Sequence, residues 1–257
     1  MNLHPIVKEI MEDRNVDANK MTDLSLDDLP SPSLIPNIQN FKEMLDECKL
    51  WGSKVCIYND YDFDGTSSAA ILYKTLEELD INVVDLTSTR TRDGYGLSKE
   101  AIDEIYDMNC DVIITTDCGI QADDKIEYAN ELGISVFVLD HHNRDNKPSF
   151  DYIDLSVKKG NFPTDKLSAG GLVWFISKYL IGHKAHRYLD LAGFSTIADL
   201  VSLKDKTNRT LAKQGMNNIS NKGIKALMEV KDVDKVDAGT VGFSIAPMIN
   251  AGGRLTD

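Results

Sequence analysis

The sequence predicts an α/β fold: a mostly parallel sheet flanked by helices, with a helical N-terminal extension and a helix-rich second half. Three observations support this prediction. Between residue 54 and about residue 140, short apolar runs alternate with segments of helical periodicity, which is the pattern of βαβ units. Beyond about residue 165 the strand pattern fades and apolar residues recur at helical spacing. The 257 residues are enough to bury a core as one large domain or two small ones.

The first 45 residues predict a peripheral helical extension. A short amphipathic segment opens it, the proline-rich stretch 29–36 follows, and a helix lies around residues 40–49. Residues 46–257 then form the main domain, with an α/β part at about 46–160 and a helix-rich part at about 161–257. We expect the metal-binding chemistry described below to lie in the α/β part.

Strands and helices are predicted in alternation within the α/β part. Ser98 is a plausible N-cap and Gly133 a helix stop signal. The predicted strands span 55–58, 82–87, 112–116 and 134–139, and the helices between them span 67–79, 98–108 and 123–132. Later helices are predicted at 171–180 and 187–203. The chain stops just after a glycine-rich turn near 250–255 with no closing element, which predicts a boundary before a second domain.

The composition excludes several classes of protein. Hydrophobic residues make up 42% and charged residues 27%, as in soluble globular proteins, and no apolar run approaches the roughly 20 residues of a membrane span. The N-terminal residues lack the apolar stretch of a signal peptide, and the four cysteines show no CxxC spacing. We therefore expect a cytoplasmic protein with reduced thiols. The net charge of −13 argues against an unaided, whole-surface grip on nucleic acid but not against a small basic track.

Acidic and imidazole side chains follow three of the predicted strands, directly where each strand ends. They are Asp60, Asp62 and Asp64 after the first strand, Asp117 after the third, and Asp140, His141 and His142 after the fourth. Functional groups collect outside the carboxyl ends of parallel strands, so we expect these side chains to meet at one edge of the sheet. If residues 60–64 stay extended, their three carboxylates project to one side. An EF-hand loop is excluded because Ile71 stands where that loop requires glutamate.

The types of ligand indicate both the metal and the chemistry. Carboxylates with one or two imidazoles and no thiolate favour Mn²⁺ or Mg²⁺ over structural zinc. So many carboxylates predict two cations a few ångströms apart, with one carboxylate bridging them. Such a pair activates a water molecule and neutralises charge on a phosphoryl group, so phosphoester hydrolysis is the expected reaction.

These motifs resemble those of the DHH phosphoesterase family, and within it the RecJ-type single-strand exonucleases, over nearly the whole chain. Residues 57–65 (IYNDYDFDG) look like the first family motif, 115–120 (TTDCGI) the second, 140–142 (DHH) the third and 195–203 (STIADLVSL) the fourth. The features that resemble the RecJ branch are Arg90 with 94–97 (GYGL), 167–171 (LSAGG) and 242–255 (GFSIAPMINAGGRL). A bare DHH triplet is weak support, but this ordered set is specific.

The resemblance implies a role for each acidic or imidazole residue. The metal ligands it implies are Asp117 as the bridge, Asp64, His141 and Asp199 in one site, and Asp62 with Asp60 or water in the other. His142 would lie against the scissile phosphate, and Asp140 would orient the histidines, as metal-bound imidazoles usually require. Without the resemblance, Asp199 would be interpreted as a satisfied, partly buried carboxylate in an apolar helix.

Five further residues are candidates for contact with a substrate. Arg90 and Arg254 have guanidinium groups that match phosphate oxygens, and Tyr95 lies between two glycines where it can stack on a base or ribose. Ser168 and Gly170 precede an apolar helix whose N-terminal amides can bind a phosphate. The alternative roles are a surface arginine, a turn tyrosine and a packing glycine.

The resemblance implies a 5′ to 3′ exonuclease that acts on single-stranded DNA with two Mn²⁺ or Mg²⁺ ions. In that branch a DHHA1-type domain follows the catalytic core, and this chain has no room for it, so we expect more chain or a partner protein to hold the strand. Two alternatives remain open. One is a phosphodiesterase of short oligonucleotides, cyclic dinucleotides or adenosine bisphosphates. The other is a non-catalytic DNA-binding or scaffold protein like the replication factor Cdc45, although every expected type of ligand is present here.

Overall fold

Five parallel strands form one sheet in the order β2-β1-β3-β4-β5. The computed structural model describes residues 3–14, 22, 24–89, 94 and 96–255, with only the backbone for residues 254 and 255. The strands are β1 (Val55–Asn59), β2 (Val83–Thr87), β3 (Val112–Thr116), β4 (Ser135–Leu139) and β5 (Asp151–Ile153). The predicted α/β class with a mostly parallel sheet is confirmed.

The central strands β1 and β3 are buried at every position, which is why their sequences are continuous apolar and β-branched runs. Their registers pair Val55 with Val112 and Asn59 with Thr116, so the two strands end level with each other. Strand β5 was not predicted from the sequence. Its three residues are too few to show a period, and the first of them, Asp151, is exposed.

Ten helices of nine residues or more surround the sheet in the part of the chain that the structure describes. They are α1 (Pro5–Asp13), α2 (Ile38–Trp51), α3 (Phe63–Glu78), α4 (Lys99–Asp107), α5 (Asp123–Glu131), α6 (Ala169–Ile181), α7 (Leu189–Ala198), α8 (Lys206–Asn217), α9 (Lys222–Val230) and α10 (Ala246–Leu255). None of the helices described here combines the length and the apolar character needed to cross a bilayer.

Two predicted helix boundaries differ from the structure by four residues or more, and one predicted turn is helical. Helix α3 begins four residues earlier than predicted because Asp62 caps it by accepting a hydrogen bond from the Gly65 amide. Helix α7 ends at Ala198 because Leu200 adopts a left-handed conformation, with φ of +55°. The segment expected to be a glycine-rich turn near residue 250 is helical and forms α10.

The two faces of the sheet carry two apolar cores. Helices α2, α3 and α6 contribute Phe41, Leu72 and Trp174 to one core, and helices α4 and α5 contribute Ile102 and Ile126 to the other. Helix α2 runs through residue 45 without a break and buries side chains on both sides of it. The extension therefore joins the main core through α2.

Helices α7 and α8 cross at two glycines in the helix-rich half. A Cβ on Gly193 would lie 2.5 Å from the Leu211 carbonyl oxygen and 2.8 Å from the Gly215 Cα. Only glycine permits this approach, because the contacts are with backbone that has no room to move. The crossing fixes α7, which positions Asp199 for the site described below.

The substitution Gly193→Ala tests this crossing. The added methyl group forces the two helices apart, so we expect the free energy of unfolding to fall by about 1–3 kcal/mol. Urea denaturation measures this loss. Gly242→Ala is the matched control, because a Cβ there meets nothing within 4 Å among the described residues. A loss at Gly193 no larger than that at Gly242 would contradict the proposed close approach.

Candidate metal centre

Three aspartates begin the site, one at the carboxyl end of each of three neighbouring strands. Asp60, Asp117 and Asp140 follow β1, β3 and β4 and are all buried. Each amide donates a hydrogen bond to the end of the next strand: Asp60 to Thr116, Asp117 to Leu139 and Asp140 to Ile153, at 3.4, 3.0 and 3.1 Å. This ladder of backbone bonds holds the three carboxylates side by side.

The sequence suggested that the DYDFDG segment, residues 60–65, would be extended. In the structure it instead turns into the start of α3. Asp62 is the N-cap of α3 and Asp64 lies in its first turn. The turn is tight, since a Cβ on Gly65 would lie 2.2 Å from the Asp60 carbonyl oxygen. As a result Asp60 and Asp62 face Asp117, whereas Asp64 faces a different set of side chains.

Asp64 is held by the N-terminus of α6. Its carboxylate accepts hydrogen bonds from the amides of Ala169 and Gly170, both at 2.8 Å, and from the Ser195 hydroxyl. Ser168 caps α6, and its hydroxyl oxygen lies 2.8 Å from that of Ser195. Two of the predicted substrate contacts, Ser168 and Gly170, are buried: the Gly170 amide binds Asp64, and the Ser168 hydroxyl contacts Ser195.

Ser195 binds Asp64 but is not among the candidate site residues that the sequence indicates. A signal for it exists, because Ser195 and Asp199 are four residues apart and lie on the same side of α7. Gly170 leaves room for it, since a Cβ there would lie 2.4 Å from the Ser195 hydroxyl oxygen. Helix α7 thus contributes one residue that holds Asp64 and a second that faces His141.

Asp117 adopts a left-handed conformation, with φ of +62°. This conformation is uncommon for a residue with a side chain, and such residues cluster at functional sites. Gly119 follows with φ of +104°, and a Cβ there would lie 2.7 Å from the Thr115 hydroxyl oxygen. The Asp117 carboxylate lies 2.9 Å from His141 Nε2.

His141 stands between three of the acids and is 5% exposed. Its Nε2 lies 2.9 Å from the Asp117 carboxylate and 3.6 Å from that of Asp64, and its Nδ1 lies 3.7 Å from that of Asp199. Asp199 caps the C-terminus of α7, not the interior of an apolar helix as the sequence suggested. His141 Nδ1 is buried and has no hydrogen-bond partner among the described residues. A buried nitrogen without a partner suits a metal ligand or a group oriented by one.

Asp140 holds both histidines from beneath. One of its oxygens accepts hydrogen bonds from the amides of His141 and His142 and lies 2.7 Å from His142 Nδ1, and the other accepts from the Ile120 amide. Burial alone would raise the pKa of Asp140, but the hydrogen bond and charge of His142 outweigh it, so this pKa lies below its usual value. Burial lowers the pKa of His142, but the hydrogen bond to Asp140 and the charges of Asp140 and Asp117 together raise it above its ordinary value, which favours the imidazolium.

The potential ligand atoms form three groups, each with all its atoms within 4.8 Å of one another. The groups are Asp60, Asp62 and Asp117; Asp64, His141 and Asp199; and Asp117, Asp140, His141 and His142. Asp117 and His141 each belong to two groups, so the groups are continuous. The structure therefore brings together all eight of the acidic and imidazole residues named from the sequence.

The carboxylates at the centre of this cluster repel one another. Burial is the main cause of a raised pKa in four of them, and neighbouring acids add to the shift. The pKa values of Asp60 and Asp199 lie above their ordinary value. The pKa of Asp64 is raised to about 6, and that of Asp117 is raised well above its usual range. No lysine or arginine in the described ranges forms an ion pair with these acids.

Divalent cations fit this donor set. Carboxylate oxygens and imidazole suit Mn²⁺ or Mg²⁺, and atoms within 4.8 Å of one another can converge on ions with ligand distances of about 2.0–2.6 Å. The positive charge that the acids lack among their protein neighbours would come from such ions.

Three of the candidate substrate contacts lie wholly or partly outside the described residues. Arg90 and Tyr95 lie outside the described residues, and Arg254 has its backbone in α10 but a side chain outside the description. An open cavity of about 450 Å³ lies next to His142, between the start of α4 and the loop after β3, and is lined by Leu97, Gly119 and Gln121, among others. His142 is the imidazole of the pair with access to solvent, with 40% of its side chain exposed.

Comparisons with known proteins agree with this site. Residues 54–203 match the family model described as DHH family, N-terminal domain. The chain is 31% identical over 279 residues to the single-stranded-DNA-specific exonuclease RecJ of Escherichia coli (strain K12), and 32% identical over 266 residues to RecJ of Bacillus subtilis (strain 168). A crystal structure of exonuclease RecJ bound to manganese superposes with a TM-score of 0.74 at 30% identity.

These relatives are longer proteins. The two alignments cover 99% of this chain but only 48% of the Escherichia coli protein and 34% of the Bacillus subtilis protein. The superposed crystal structure covers 86% of this chain and 58% of that one. The chain thus spans about half, or less, of the length of the curated relatives that it matches.

The substitution Asp117→Asn tests the cation site without reference to activity. It removes one buried charge and one shared ligand, so we expect the metal-free variant to be at least as stable as wild type. We also expect it to lose the increase in melting temperature that Mn²⁺ gives wild type, about 5–10 °C at a hundredfold excess over Kd. Asp107→Asn, at an exposed acid on α4, is the control. Equal Mn²⁺ shifts in wild type and Asp117→Asn would exclude Asp117 as a ligand.

The raised pKa values predict how stability depends on pH in the presence of a chelator. The folded state raises the pKa of Asp64 from its ordinary value of 3.8 to about 6 and raises that of Asp117 in the same direction, so the folded state binds more protons than the unfolded state between about pH 4 and pH 6. The metal-free protein should therefore lose stability as the pH rises through this range. Thermal melts in EDTA from pH 4.5 to 7.5 measure the slope, which should be shallower in Asp117→Asn. A slope unchanged by that substitution would be inconsistent with a titrating Asp117.

Proposed function

Because the chain belongs to the DHH family, we propose that it is a metal-dependent phosphodiester hydrolase that removes nucleotides from the 5′ end of single-stranded DNA. The observation that carries this proposal is the convergence of the three strand ends and α7 on one acidic, cation-deficient cluster. The RecJ relatives are single-stranded-DNA-specific exonucleases, which supports the choice of substrate and reaction. The crystal structure of the related exonuclease RecJ bound to manganese supports the choice of cofactor.

The groups in the structure suggest how two Mn²⁺ or Mg²⁺ ions would be held. Asp64, His141 and Asp199 would hold one ion, Asp62 and Asp60 the other, and Asp117 would serve both. When bound, the ions supply Lewis-acid activation of water and charge neutralisation at the phosphoryl group. Ser195 and the amides at the start of α6 fix the orientation of the Asp64 carboxylate, which therefore needs little reorganisation.

His142, oriented by Asp140, would contact the substrate phosphate. Asp140 fixes the imidazole through Nδ1 and favours its protonated form. A charged imidazole that is part exposed at the edge of the cluster is suited to contact a phosphate oxygen and to stabilise the charge that develops on it. Asp140 is itself fully engaged with backbone amides, so it orients the ring without competing for the phosphate.

The DNA strand would need further positive charge. Arg90 and Arg254 are the proposed phosphate contacts, and Tyr95 the proposed stacking residue. The chain has a net charge of −13, and counterion release requires clustered lysine and arginine. We therefore propose that additional protein, in a following domain or in a partner, grips the strand beyond the cleaved end.

The proposed activity is tested with a 5′-phosphorylated single-stranded oligonucleotide of about 40 nucleotides carrying a 3′ label. In Mn²⁺ we expect mononucleotide release with progressive shortening from the 5′ end and no reaction in EDTA. Asp117→Asn should lower kcat by at least about a thousandfold, because the shared ligand is lost, whereas Asp107→Asn should leave it within twofold.

Two results would overturn the proposal. Hydrolysis of dinucleotides with no hydrolysis of the long oligonucleotide would identify a short-substrate phosphodiesterase. Absence of Mn²⁺-dependent hydrolysis in a folded protein that gains stability with Mn²⁺ would identify a non-catalytic protein that keeps the metal site.

A further inference from the structure

The end of helix α7 is unusual for the residue that occupies it. The amide of Leu200 donates to the Ile197 carbonyl at 3.1 Å and the amide of Val201 to the Thr196 carbonyl at 3.2 Å. This pair of bonds is a Schellman motif, which places Leu200 in the left-handed conformation with φ of +55°. That conformation costs free energy for any residue with a Cβ and is usually occupied by glycine or asparagine.

Four other helices among the described residues end with the same pair of hydrogen bonds, and none uses an apolar residue. The residues at the equivalent position are Asp80 after α3, Asn109 after α4, Gly133 after α5 and Asp232 after α9. Glycine, asparagine and aspartate are the residue types that tolerate this conformation best. Leu200 is therefore the exception in this set of five helix ends.

The side chain of Leu200 gains nothing from packing within the described structure. It is 88% exposed, so both its backbone conformation and its contact with water are unfavourable. Both of its neighbours in sequence contact the rest of the protein: Asp199 faces His141 Nδ1, and Val201 is buried. With consecutive Cα atoms about 3.8 Å apart, Leu200 stands directly at the edge of the metal cluster.

We propose that Leu200 is a substrate-binding residue, whose side chain packs against the base of the nucleotide held at the metal centre. This inference rests on the proposed function. Apart from the imidazoles of His141 and His142, the side chains of the cluster are carboxylates, which repel a polynucleotide, so an uncharged apolar surface beside them can approach a base closely. Bases present flat faces that accept apolar contact whatever their sequence, as a nuclease without sequence preference requires.

The Schellman motif makes this surface rigid. Two backbone hydrogen bonds fix Leu200, and the burial of Val201 and the contact of Asp199 with the cluster fix its neighbours on both sides. A base packed on it loses little side-chain entropy, because leucine has few rotamers to give up. The same residue thus ends the helix that supplies a proposed metal ligand and sets the distance from that ligand to the base.

Reciprocal substitutions test the proposal. Leu200→Asn puts a tolerant polar residue in the left-handed position, and Asn109→Leu puts leucine in the same motif away from the site. For a 5′-phosphorylated oligonucleotide in Mn²⁺, we expect Leu200→Asn to raise KM about five- to tenfold with kcat within twofold, and to melt at or above the wild-type temperature. Asn109→Leu should lower the melting temperature and leave KM unchanged. With an oligonucleotide abasic at its 5′ end, wild type and Leu200→Asn should have equal KM.

The outcomes separate this inference from the function on which it rests. If wild type hydrolyses the oligonucleotide and Leu200→Asn has the same KM, the role of Leu200 is wrong and the proposed function stands. If the loss persists in full on the abasic oligonucleotide, Leu200 does not contact the base and the inference is again overturned. If wild type shows no hydrolysis, both the function and this inference fail.

Discussion

Repulsion between buried carboxylates dominates this structure. The fold brings the buried Asp60, Asp64 and Asp117 and the half-buried Asp199 together at the end of a parallel sheet, and no described lysine or arginine forms an ion pair with them. An isolated buried charge is costly and one among like charges is more so. Every other feature of the site either opposes this repulsion by local hydrogen bonds or leaves space for cations that would cancel it.

The fold treats its carboxylates in two different ways. Asp140 accepts hydrogen bonds from three backbone amides and from His142, and it stays ionised despite complete burial. Asp117 has the His141 imidazole as its side-chain partner and remains hard to ionise. Asp140 therefore orients the groups around it, whereas the charge of Asp117 would be stabilised by a bound cation. Asp64 is intermediate, since the start of α6 stabilises its charge but burial still prevails.

Much of this organisation can be predicted from the sequence, for reasons that differ between residues. Strands β1 and β3 were predicted within one residue because fully buried strands are continuous apolar runs. Asp60, Asp117 and Asp140 follow from the topology of parallel sheets alone. Asp199 does not, because its relation to the site depends on how α7 packs against α3 and α6, and no local pattern encodes that packing. Ser195 follows from its spacing only once Asp199 is known to face the site. Nor could the sequence show that the amides at Gly170 serve Asp64, because free and occupied helix N-termini have the same sequence signature.

The support of Asp64 by α6 and α7 joins two parts of the chain that are more than a hundred residues apart. The carboxylate belongs to the first βαβ unit, whereas the amides and the hydroxyl that bind it belong to the helix-rich half. The helix-rich half is thus part of the metal-ligand cluster and not an appendage to it. Chain synthesis delivers the sheet before these helices, so a nascent chain would carry Asp64 unsupported until the later helices dock, and the cluster of acids would be complete only at the last stage of folding.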